Sequence, residues 1–417
     1  MEHISFFMKD SEFKLFSAVL HIKDPFIITN IVIDEPQKRV NVYVGFVEDP
    51  IYTCPECGKE TSRVHAVREK VWRHLNLFEY QCFVHCQTPR IFCEHCKKTL
   101  DIKLPWVNKH SGFSLMMEGL ILNLSKVLPF STVGRLLEET DKRIARTVDS
   151  YVNRAIKKKD LSDVKTIGID ETSVAKGHKY ITTVSDLDKG EVIFVTSGKD
   201  ADTLKAFEEY FVRHNGKITN ITNVCSDMSK AFISGIKEVF SNAIHTIDKF
   251  HVMMAINDFV NNVRKNEQTT NDVLKKTKFV FLKNPQNLTK TQRARLTSLT
   301  KLNLKTVRAY QIRLNFQEFW KCNSREEGEI FLKKWYYWLT HSRLYQKKEL
   351  ATTIKNHWDG ILNYFSSKIT NGRVEGINGE IQKVKREARG YKNINNFKNA
   401  ILLRFGNLDF DIPLIHL

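Results

Sequence analysis

Two pairs of cysteines constrain the folding of this 417-residue chain more tightly than any other feature of its sequence. The pairs are Cys54-Pro-Glu-Cys57 and Cys93-Glu-His-Cys96, and each has the two-residue spacing of a tight metal-binding turn. Clustered cysteines in a reducing compartment indicate a metal site rather than disulfides. We therefore predict that the four thiolates bind one structural Zn²⁺ and form a zinc ribbon over residues 51–104.

Three other potential ligands lie between the two pairs. Cys82, Cys86 or His85 could in principle replace one of the outer cysteines. However, three residues separate Cys82 from Cys86, and that spacing does not form the same tight turn. The outer pairs are therefore the preferred ligands. The alternative is that all four outer cysteines pack as ordinary core residues.

The charge of the chain indicates a polyanionic partner. It has 65 Lys and Arg residues against 47 Asp and Glu residues, a formal net charge of +18. Positive charge is spread along the whole sequence, as expected of a nucleic-acid-binding protein, although a merely soluble basic enzyme is the alternative. No apolar run approaches a membrane span, and Glu2, Asp10 and Glu12 interrupt the N-terminal stretch where a signal peptide would be apolar. The sequence thus predicts a cytoplasmic protein.

Residues 1–50 are expected to form an N-terminal helix and a β-hairpin, and residues 105–160 carry a helical pattern with a short polar break. Within that pattern, STVGRLLEETDKRIARTVDSYVNR has the apolar spacing of a helix-turn-helix, with Asp141 to Arg154 as the recognition helix. This helix would present three cations to DNA: Lys142, Arg143 and Arg146. Glu138 occupies the turn position where Gly is usual, so an ordinary helical hairpin is the alternative.

From residue 161 onward, strand patterns alternate with helix patterns. Three consecutive strand patterns, KTIGID, KYITTVSDL and EVIFVTSG, precede two strands that are separated by helices. This order predicts a mixed sheet flanked by helices, as in ribonuclease-H-like (retroviral-integrase-like) folds. Residues 256–344 are instead helical and very basic. We therefore predict an α/β fold in which an all-α insertion interrupts a catalytic core made of residues 161–255 and 345–417.

Three acidic residues lie at the ends of predicted elements: Asp170, Asp227 and Glu375. Ile167 and Ile169 share one face of a strand, so Asp170 lies on the other face. Asp227 follows a strand that should neighbour the first, and Glu375 lies near the start of a helix. Three carboxylates from separate elements suit a pair of Mg²⁺ or Mn²⁺ ions about 3.5–4 Å apart, as in phosphodiester-cutting sites. Taken singly, each acid could equally be a helix cap or a surface charge.

Two cations follow Glu375 on the same predicted helix. Lys383 and Arg386 lie eight and eleven residues after it. Eleven residues are close to three helical turns, which puts Arg386 on the face of the carboxylate. We predict that both cations contact the DNA backbone.

The segment KKWYYWLTH in the predicted helical insertion contains four consecutive aromatic residues, from Trp335 to Trp338. A ring there could stack on an unpaired base. Four consecutive aromatic residues cannot share one face of a helix, so packing in the core of the insertion is the interpretation that we favour.

Taken together, the motifs resemble the DDE transposases of the ISL-three (ISL3) insertion-sequence family. The resemblance rests on CPEC with RIFCEHC, VGRLLEETDKRI, IGIDETSVAKGHKYITTVSDLDKGEV, VCSDMSKAFISGIKEVFSNAIHTIDKFHV and GRVEGINGEIQKVKREARGYKNINNF. It covers roughly residues 54–255 and 370–405. The family implies a catalytic triad of Asp170, Asp227 and Glu375.

The same resemblance implies what the protein does. The N-terminal domains would recognise terminal inverted repeats, and the core would catalyse metal-dependent DNA strand cleavage and strand transfer. The partner would be double-stranded DNA, both transposon ends and target, and the chain would work as a homodimer or higher oligomer in the nucleoid of a bacterial cytoplasm. Two other functions stay open: a DNA-binding regulator that has lost the chemistry, and another ribonuclease-H-like nuclease without strand transfer.

Asp248 and His251, in TIDKFHV, also match the family pattern. Asp248 could orient a metal-bound water or a basic residue. His251 could contact phosphate, although a buried and hydrogen-bonded histidine is the commoner role. Neither residue is included in the predicted triad.

Overall fold

The computed structural model describes residues 10–20, 22–175, 179–200, 202–367, 369 and 371–412. The chain divides into two compact units, Met1–Asn153 with Asp409–Leu417, and Arg154–Leu408. Within the described residues, no helix combines the length and the apolar character needed to cross a membrane.

The first unit begins with helix α1 (Asp10–Val19) and an antiparallel hairpin of β1 (Phe26–Asp34) and β2 (Arg39–Phe46). The hairpin confirms the prediction from sequence. Five further strands follow: β3 (Tyr52–Thr53), β4 (Glu60–Thr61), β5 (Val64–Arg73), β6 (Gln81–Cys93) and β7 (Lys98–Asp101). The main sheet has the order β1-β2-β6-β5 with β7 paired to β6, while β3 and β4 form a separate two-stranded ribbon.

Three helices complete the first unit: α2 (Leu115–Ser125), α3 (Phe130–Leu137) and α4 (Asp141–Ile156). Glu138 ends α3 in the left-handed conformation with φ of 54°. The chain therefore makes its turn without glycine at that position. Gly134 allows the close approach instead, because a Cβ atom there would lie 2.7 Å from the carbonyl oxygen of Glu139. Ile144 and Val148 then anchor α4, and both are fully buried.

The second unit contains a mixed five-stranded sheet of β8 (Thr166–Ala175), β9 (Lys179–Asp186), β10 (Glu191–Ser197), β11 (Asn223–Ser226) and β12 (Ile244–Ile247). The order is β10-β9-β8-β11-β12, with β9 antiparallel to both neighbours and β8, β11 and β12 mutually parallel. Helices α5 (Asp202–Arg213) and α6 (Lys230–Val239) connect the strands. Ile167 and Ile169 are buried in the core between this sheet and the helices, as their alternation predicts.

Helices follow the last strand: α7 (Lys249–Gln268), α8 (Lys278–Leu282), α9 (Lys290–Thr300), α10 (Lys305–Phe319), α11 (Arg325–His341), α12 (Lys347–Asn356), α13 (Trp358–Leu362), α14 (Tyr364–Ser367), α15 (Asn371–Glu387) and α16 (Ile394–Phe405). Trp335 is buried in their apolar core, and its Nε1 donates a hydrogen bond of 2.9 Å to the carbonyl oxygen of Ile312. Core packing is therefore the role of Trp335, as we favoured from the sequence. Helix α15 packs against β8, and α16 packs against β10.

Candidate active site and metal centre

The four outer cysteines meet in one cluster at the ends of the short ribbon and of β6. All four Sγ atoms lie within 4.8 Å of one another. The Sγ atoms are 3.9 Å apart for Cys54 and Cys96 and 3.6 Å apart for Cys57 and Cys93. A tetrahedral Zn²⁺ with bonds of about 2.3 Å requires sulfur–sulfur distances of about 3.8 Å. The geometry therefore fits one zinc ion.

Hydrogen bonds set the protonation of this cluster. The backbone N–H of Cys96 donates to Cys93 Sγ at 3.5 Å, and this bond is the main reason why the pKa of Cys93 is lowered to about 7. A hydrogen bond with Cys57 is the main reason why the pKa of Cys96 is raised to about 12. Zn²⁺ binds thiolates, so its binding would displace the proton that this hydrogen bonding favours on Cys96.

The inner residues have a different environment. Cys82 and Cys86 are buried in the core of the first unit, and burial raises the pKa of Cys82 to about 12 and that of Cys86 to about 11. Thiols that stay protonated are poor metal ligands. His85 stacks on Tyr43 with ring centroids 4.6 Å apart, and its Nε2 donates to Asn41 Oδ1 at 3.0 Å. These side chains pack the sheet and lie outside the sulfur cluster.

The three predicted cations of helix α4 differ in their surroundings. Lys142 and Arg146 are exposed. Arg143 is half-buried, because its Nη1 donates to Glu139 Oε2 at 2.6 Å and its Nη2 donates to the carbonyl oxygen of Gly112 at 3.1 Å. The guanidinium of Arg143 therefore fixes the start of the helix, and Lys142 and Arg146 are the two that face solvent.

Asp170 and Asp227 lie side by side at one edge of the second sheet. The parallel register of β8 and β11 pairs Ile169 with Ser226, so Asp170 lies next to Asp227, which directly follows β11. Asp170 does not end its strand as predicted, because β8 continues to Ala175. The Asp170 side chain is only 16% exposed. The pKa of Asp170 is raised to about 7, chiefly by burial and additionally by the negative charges of Asp227 and Asp248. Strand order thus brings together two acids that are far apart in sequence.

Backbone N–H groups hold the two neighbouring carboxylates in place. Asp227 Oδ1 accepts a hydrogen bond of 2.8 Å from the N–H of Ser229. Asp248 Oδ1 accepts one of 2.9 Å from the N–H of Phe250 and so caps α7. Asp248 is almost fully buried beside the site. Asp248 therefore acts on Asp170 as a third nearby carboxylate while it caps α7.

His251 follows in the first turn of α7. Its Nε2 lies 3.8 Å from Asp170 Oδ1, and the imidazole is 20% exposed. The imidazole ring therefore faces the carboxyl group of Asp170. Burial and neighbouring negative charges favour the protonated form of that group. The sequence motif TIDKFHV brings Asp248 and His251 to the site together because one is the cap and the other the first turn of a single helix.

Glu375 belongs to α15, but its side chain lies outside the described residues. The helix packs against β8, the strand that carries Asp170. Asn378, on the next turn of α15, lines a small cavity together with Asp170, Gly168 and Thr183.

Farther along α15, the helix borders an open groove of about 1250 Å³. The groove is lined by five cations: Lys179, Lys385, Arg386, Arg389 and Lys392. None of the described residues that line it is acidic. Arg389 and Gly390 have φ angles of 53° and 91°, which turn the chain so that Lys392 returns to the same groove.

Lys383 and Arg386, the two cations predicted to contact the DNA backbone, have different surroundings. Arg386 lines the groove, whereas Lys383 lies on the exposed side of α15, where its Nζ is 3.4 Å from Glu380 Oε2. Sequence reasoning missed Lys385, Arg389 and Lys392, although the basic run KVKREARGYK contains all three.

Known proteins match the chain over nearly its whole length. A family model described as zinc-finger of transposase IS204/IS1001/IS1096/IS1165 matches residues 52–96. The helix-turn-helix domain of transposase family ISL3 matches residues 102–152, and the ISL3 DDE-type model described as Transposase matches residues 167–401.

Two curated relatives are similar throughout. The transposase for insertion sequence element IS1001 of Bordetella parapertussis is 25% identical over 373 residues, which covers 87% of this chain and 91% of the relative. The transposase for insertion sequence element IS1557 of Mycobacterium tuberculosis (strain CDC 1551 / Oshkosh) is 26% identical over 422 residues, which covers 91% of this chain and 92% of the relative.

The three family models match, in chain order, a cysteine ribbon, a helix-turn-helix and the α/β domain that contains the adjacent acids. Together they define a transposase with a DNA-binding N-terminal part. The chain belongs to the ISL3 family of transposases, since the Transposase model alone matches more than half of it. The resemblance inferred from the sequence is therefore confirmed. The ribbon match and the sulfur geometry together support a structural zinc.

Proposed function

We propose that this transposase binds the terminal inverted repeats of its element and catalyses metal-dependent cleavage and transfer of DNA strands. The observation that carries the proposal is the adjacency of Asp170, within β8, and Asp227, directly after β11. Membership of the ISL3 family adds the substrate class, DNA. By the same resemblance, the protein would act in the bacterial nucleoid as a homodimer or higher oligomer that holds transposon ends and target.

We interpret the second unit as a ribonuclease-H-like core. The sheet order β10-β9-β8-β11-β12, with one antiparallel meander followed by parallel strands, supports this fold. The helical stretch from within α7 to the end of α11 would form the all-α insertion at residues 256–344, between core segments 161–255 and 345–417. Residues 1–50, 51–104 and 105–160 would be the N-terminal hairpin, zinc ribbon and helix-turn-helix domains.

The acids would hold two Mg²⁺ or Mn²⁺ ions, with Glu375 as the third carboxylate. Residues three apart on a helix are neighbours, so the position of Asn378 beside Asp170 supports this assignment. Burial and the neighbouring carboxylates raise the pKa of Asp170 to about 7, and a hard divalent cation bound by these oxygens would relieve the repulsion. When bound, such ions activate the attacking oxygen and stabilise the leaving oxygen of a phosphodiester.

The chain's own residues would align the DNA. Phosphates of one strand would follow the groove lined by Lys179, Arg386, Arg389 and Lys392, because several cations without a nearby acid attract a polyanion. Lys383 would contribute from the exposed side of α15. The groove is bordered by β8 beyond Asp170, so a strand lying in it would lead toward the acids.

Arg146→Ala is expected to weaken binding to DNA that carries the terminal repeats by about tenfold. Loss of one phosphate contact should also reduce the slope of log affinity against log salt by about 0.9. Binding titrations at several salt concentrations measure both quantities. Arg213→Ala, which removes an exposed cation on α5, is the matched control. Equal affinity of the two variants would exclude Arg146 from the DNA interface.

The proposed reaction is tested with the full-length chain, Mg²⁺ and a DNA fragment that carries the repeats flanking its gene. Nicks at the repeat ends, followed by joining of the freed 3′ ends to a second DNA, are the expected products. Binding without nicking would instead identify a DNA-binding regulator. Cutting without end preference and without joining would identify a ribonuclease-H-like nuclease.

A further inference from the structure

A polar cavity lies in the helical part of the second unit, and none of its described lining residues is acidic. It has a volume of about 260 Å³, and six of its lining residues are polar or aromatic: Lys249, Asn257, Asn284, Arg313, Gln317 and Trp320. Lys249 and Asn257 lie eight residues apart on α7, and Arg313 and Gln317 lie four apart on α10. Facing stripes of two helices therefore build the cavity.

Arg313 gives this cavity an uncompensated positive charge. Its side chain belongs to a residue only 3% exposed. Nε donates to Asn257 Oδ1 at 2.6 Å, and Nη2 donates to the carbonyl oxygen of Leu282 at 3.0 Å and to Asn284 Oδ1 at 2.8 Å. Nη1 has no hydrogen-bond partner, and within the described part of the chain no carboxylate pairs with the guanidinium. A buried charge with only neutral partners favours a negatively charged ligand.

The hydrogen-bond network also fixes the polarity of the cavity. Arginine only donates, so the side-chain oxygens of Asn257 and Asn284 must face Arg313. Gln317 Nε2 donates to the same Asn284 oxygen. The two Nδ2 groups are then left as donors, and no hydrogen bond among the described residues uses either of them. What enters the cavity must therefore accept hydrogen bonds.

Lys249 and Trp320 form one side of the cavity. Lys249 Nζ lies 5.3 Å from the centre of the Trp320 ring, and the buried indole Nε1 has no hydrogen-bond partner. The cavity thus presents two cations and several N–H donors around a space larger than a single water needs. A tetrahedral oxyanion has enough acceptor oxygens to satisfy such a donor set.

We propose that this cavity binds one phosphate group and, resting on the proposed function, that the phosphate belongs to the backbone of the DNA strand that reaches Asp170. Lys249 starts the helix whose first turn carries His251, and His251 Nε2 is 3.8 Å from Asp170 Oδ1. A phosphate on Lys249 would therefore be bound at the same end of α7 as the candidate active site.

Asn257→Asp tests the cavity without removing a hydrogen bond. The new carboxylate still accepts from Arg313 Nε, but it neutralises the guanidinium and repels an anion. Asn315→Asp, at an exposed position of the same helix as Arg313, is the control with the same change in net charge. Inorganic phosphate, compared with chloride at equal ionic strength, should raise the melting temperature of wild type and of Asn315→Asp by about 2 °C or more, and that of Asn257→Asp by less. An equal rise in both Asp variants would overturn the phosphate site.

The same variants test the assignment to DNA. Asn257→Asp should bind DNA more weakly than Asn315→Asp, with a salt slope lower by about 0.9 for one lost phosphate contact. Equal DNA affinity and slope would overturn the assignment to the DNA backbone. Failure of wild type to cleave DNA would count against the proposed reaction. The phosphate-induced rise in melting temperature tests the cavity whether or not the protein cleaves DNA.

Discussion

Asp170→Asn is expected to abolish Mg²⁺-dependent cleavage of DNA, with a loss on the order of 10⁴-fold, while DNA binding stays close to that of wild type. The amide keeps the size of the carboxylate but cannot supply the negative charge that a divalent ion needs. A nicking assay on end-containing DNA measures the first effect and a binding titration the second. Asp258→Asn, at an exposed position of α7, is the control with the same charge change. Cleavage at the wild-type rate by Asp170→Asn would disprove the assignment.

The same substitution should stabilise the metal-free protein. The folded-state pKa of Asp170 is about 7 and the ordinary value is 3.8. Between these pH values the folded chain keeps a proton that the unfolded chain has lost, so this group lowers the free energy of unfolding as pH rises. This loss in the free energy of unfolding is complete above about pH 7 and amounts to at most about 4 kcal/mol. Asparagine causes no such loss.

Denaturant titrations at pH 5 and pH 8 measure this effect. The stability gained by Asp170→Asn over wild type should grow between the two pH values, and Mg²⁺ should then stabilise wild type but not the variant. A gain that is independent of pH would mean that burial does not perturb the carboxyl. Mg²⁺ stabilising both proteins equally would mean that Asp170 is not a ligand.

Cys93→Ser is expected to remove zinc from the protein and to unfold the ribbon. Structural zinc contributes about 10–16 kcal/mol in zinc-finger peptides, which is as large as the whole stability of a typical domain. Metal analysis should give one zinc per chain for wild type and much less for the variant. Limited proteolysis should then cut within residues 51–104.

Cys86→Ala is the matched control for this test. Cys86 lies on the same strand as Cys93 but is buried in the apolar core. Its loss should weaken packing and leave zinc at one ion per chain. Equal zinc loss in both variants would mean that the inner cysteine contributes to metal binding.

Local spacing made the metal ribbon predictable from sequence. A Cys-x-x-Cys turn brings its own two ligands together, so only the meeting of Cys54 and Cys57 with Cys93 and Cys96 depended on the fold. The neighbouring positions of Asp170 and Asp227 could be expected as well, because strand order follows from the pattern of consecutive strands.

The groove and the cavity were not predictable in this way. The groove needs the turn at Arg389 and the packing of α16 against β10, both set by tertiary contacts. The cavity joins Asn257 to Arg313, 56 residues away, and no periodicity identifies such a pair. The ion pair of Glu139 with Arg143 was predictable, because a spacing of four residues on a helix is a local signal. The prediction that Arg143 contacts DNA did not take this ion pair into account.

Helix α7 spans 20 residues, or about 30 Å. Its cap and first turn adjoin the acids, and its later turns carry Phe259 and Val263 into the apolar core of the helical part. A packed helix tilts as a rigid rod, so a repacking deep in that core changes the angle at which His251 meets Asp170. Variants that tune the reaction rate should therefore be found among buried apolar residues that contact neither the acids nor DNA.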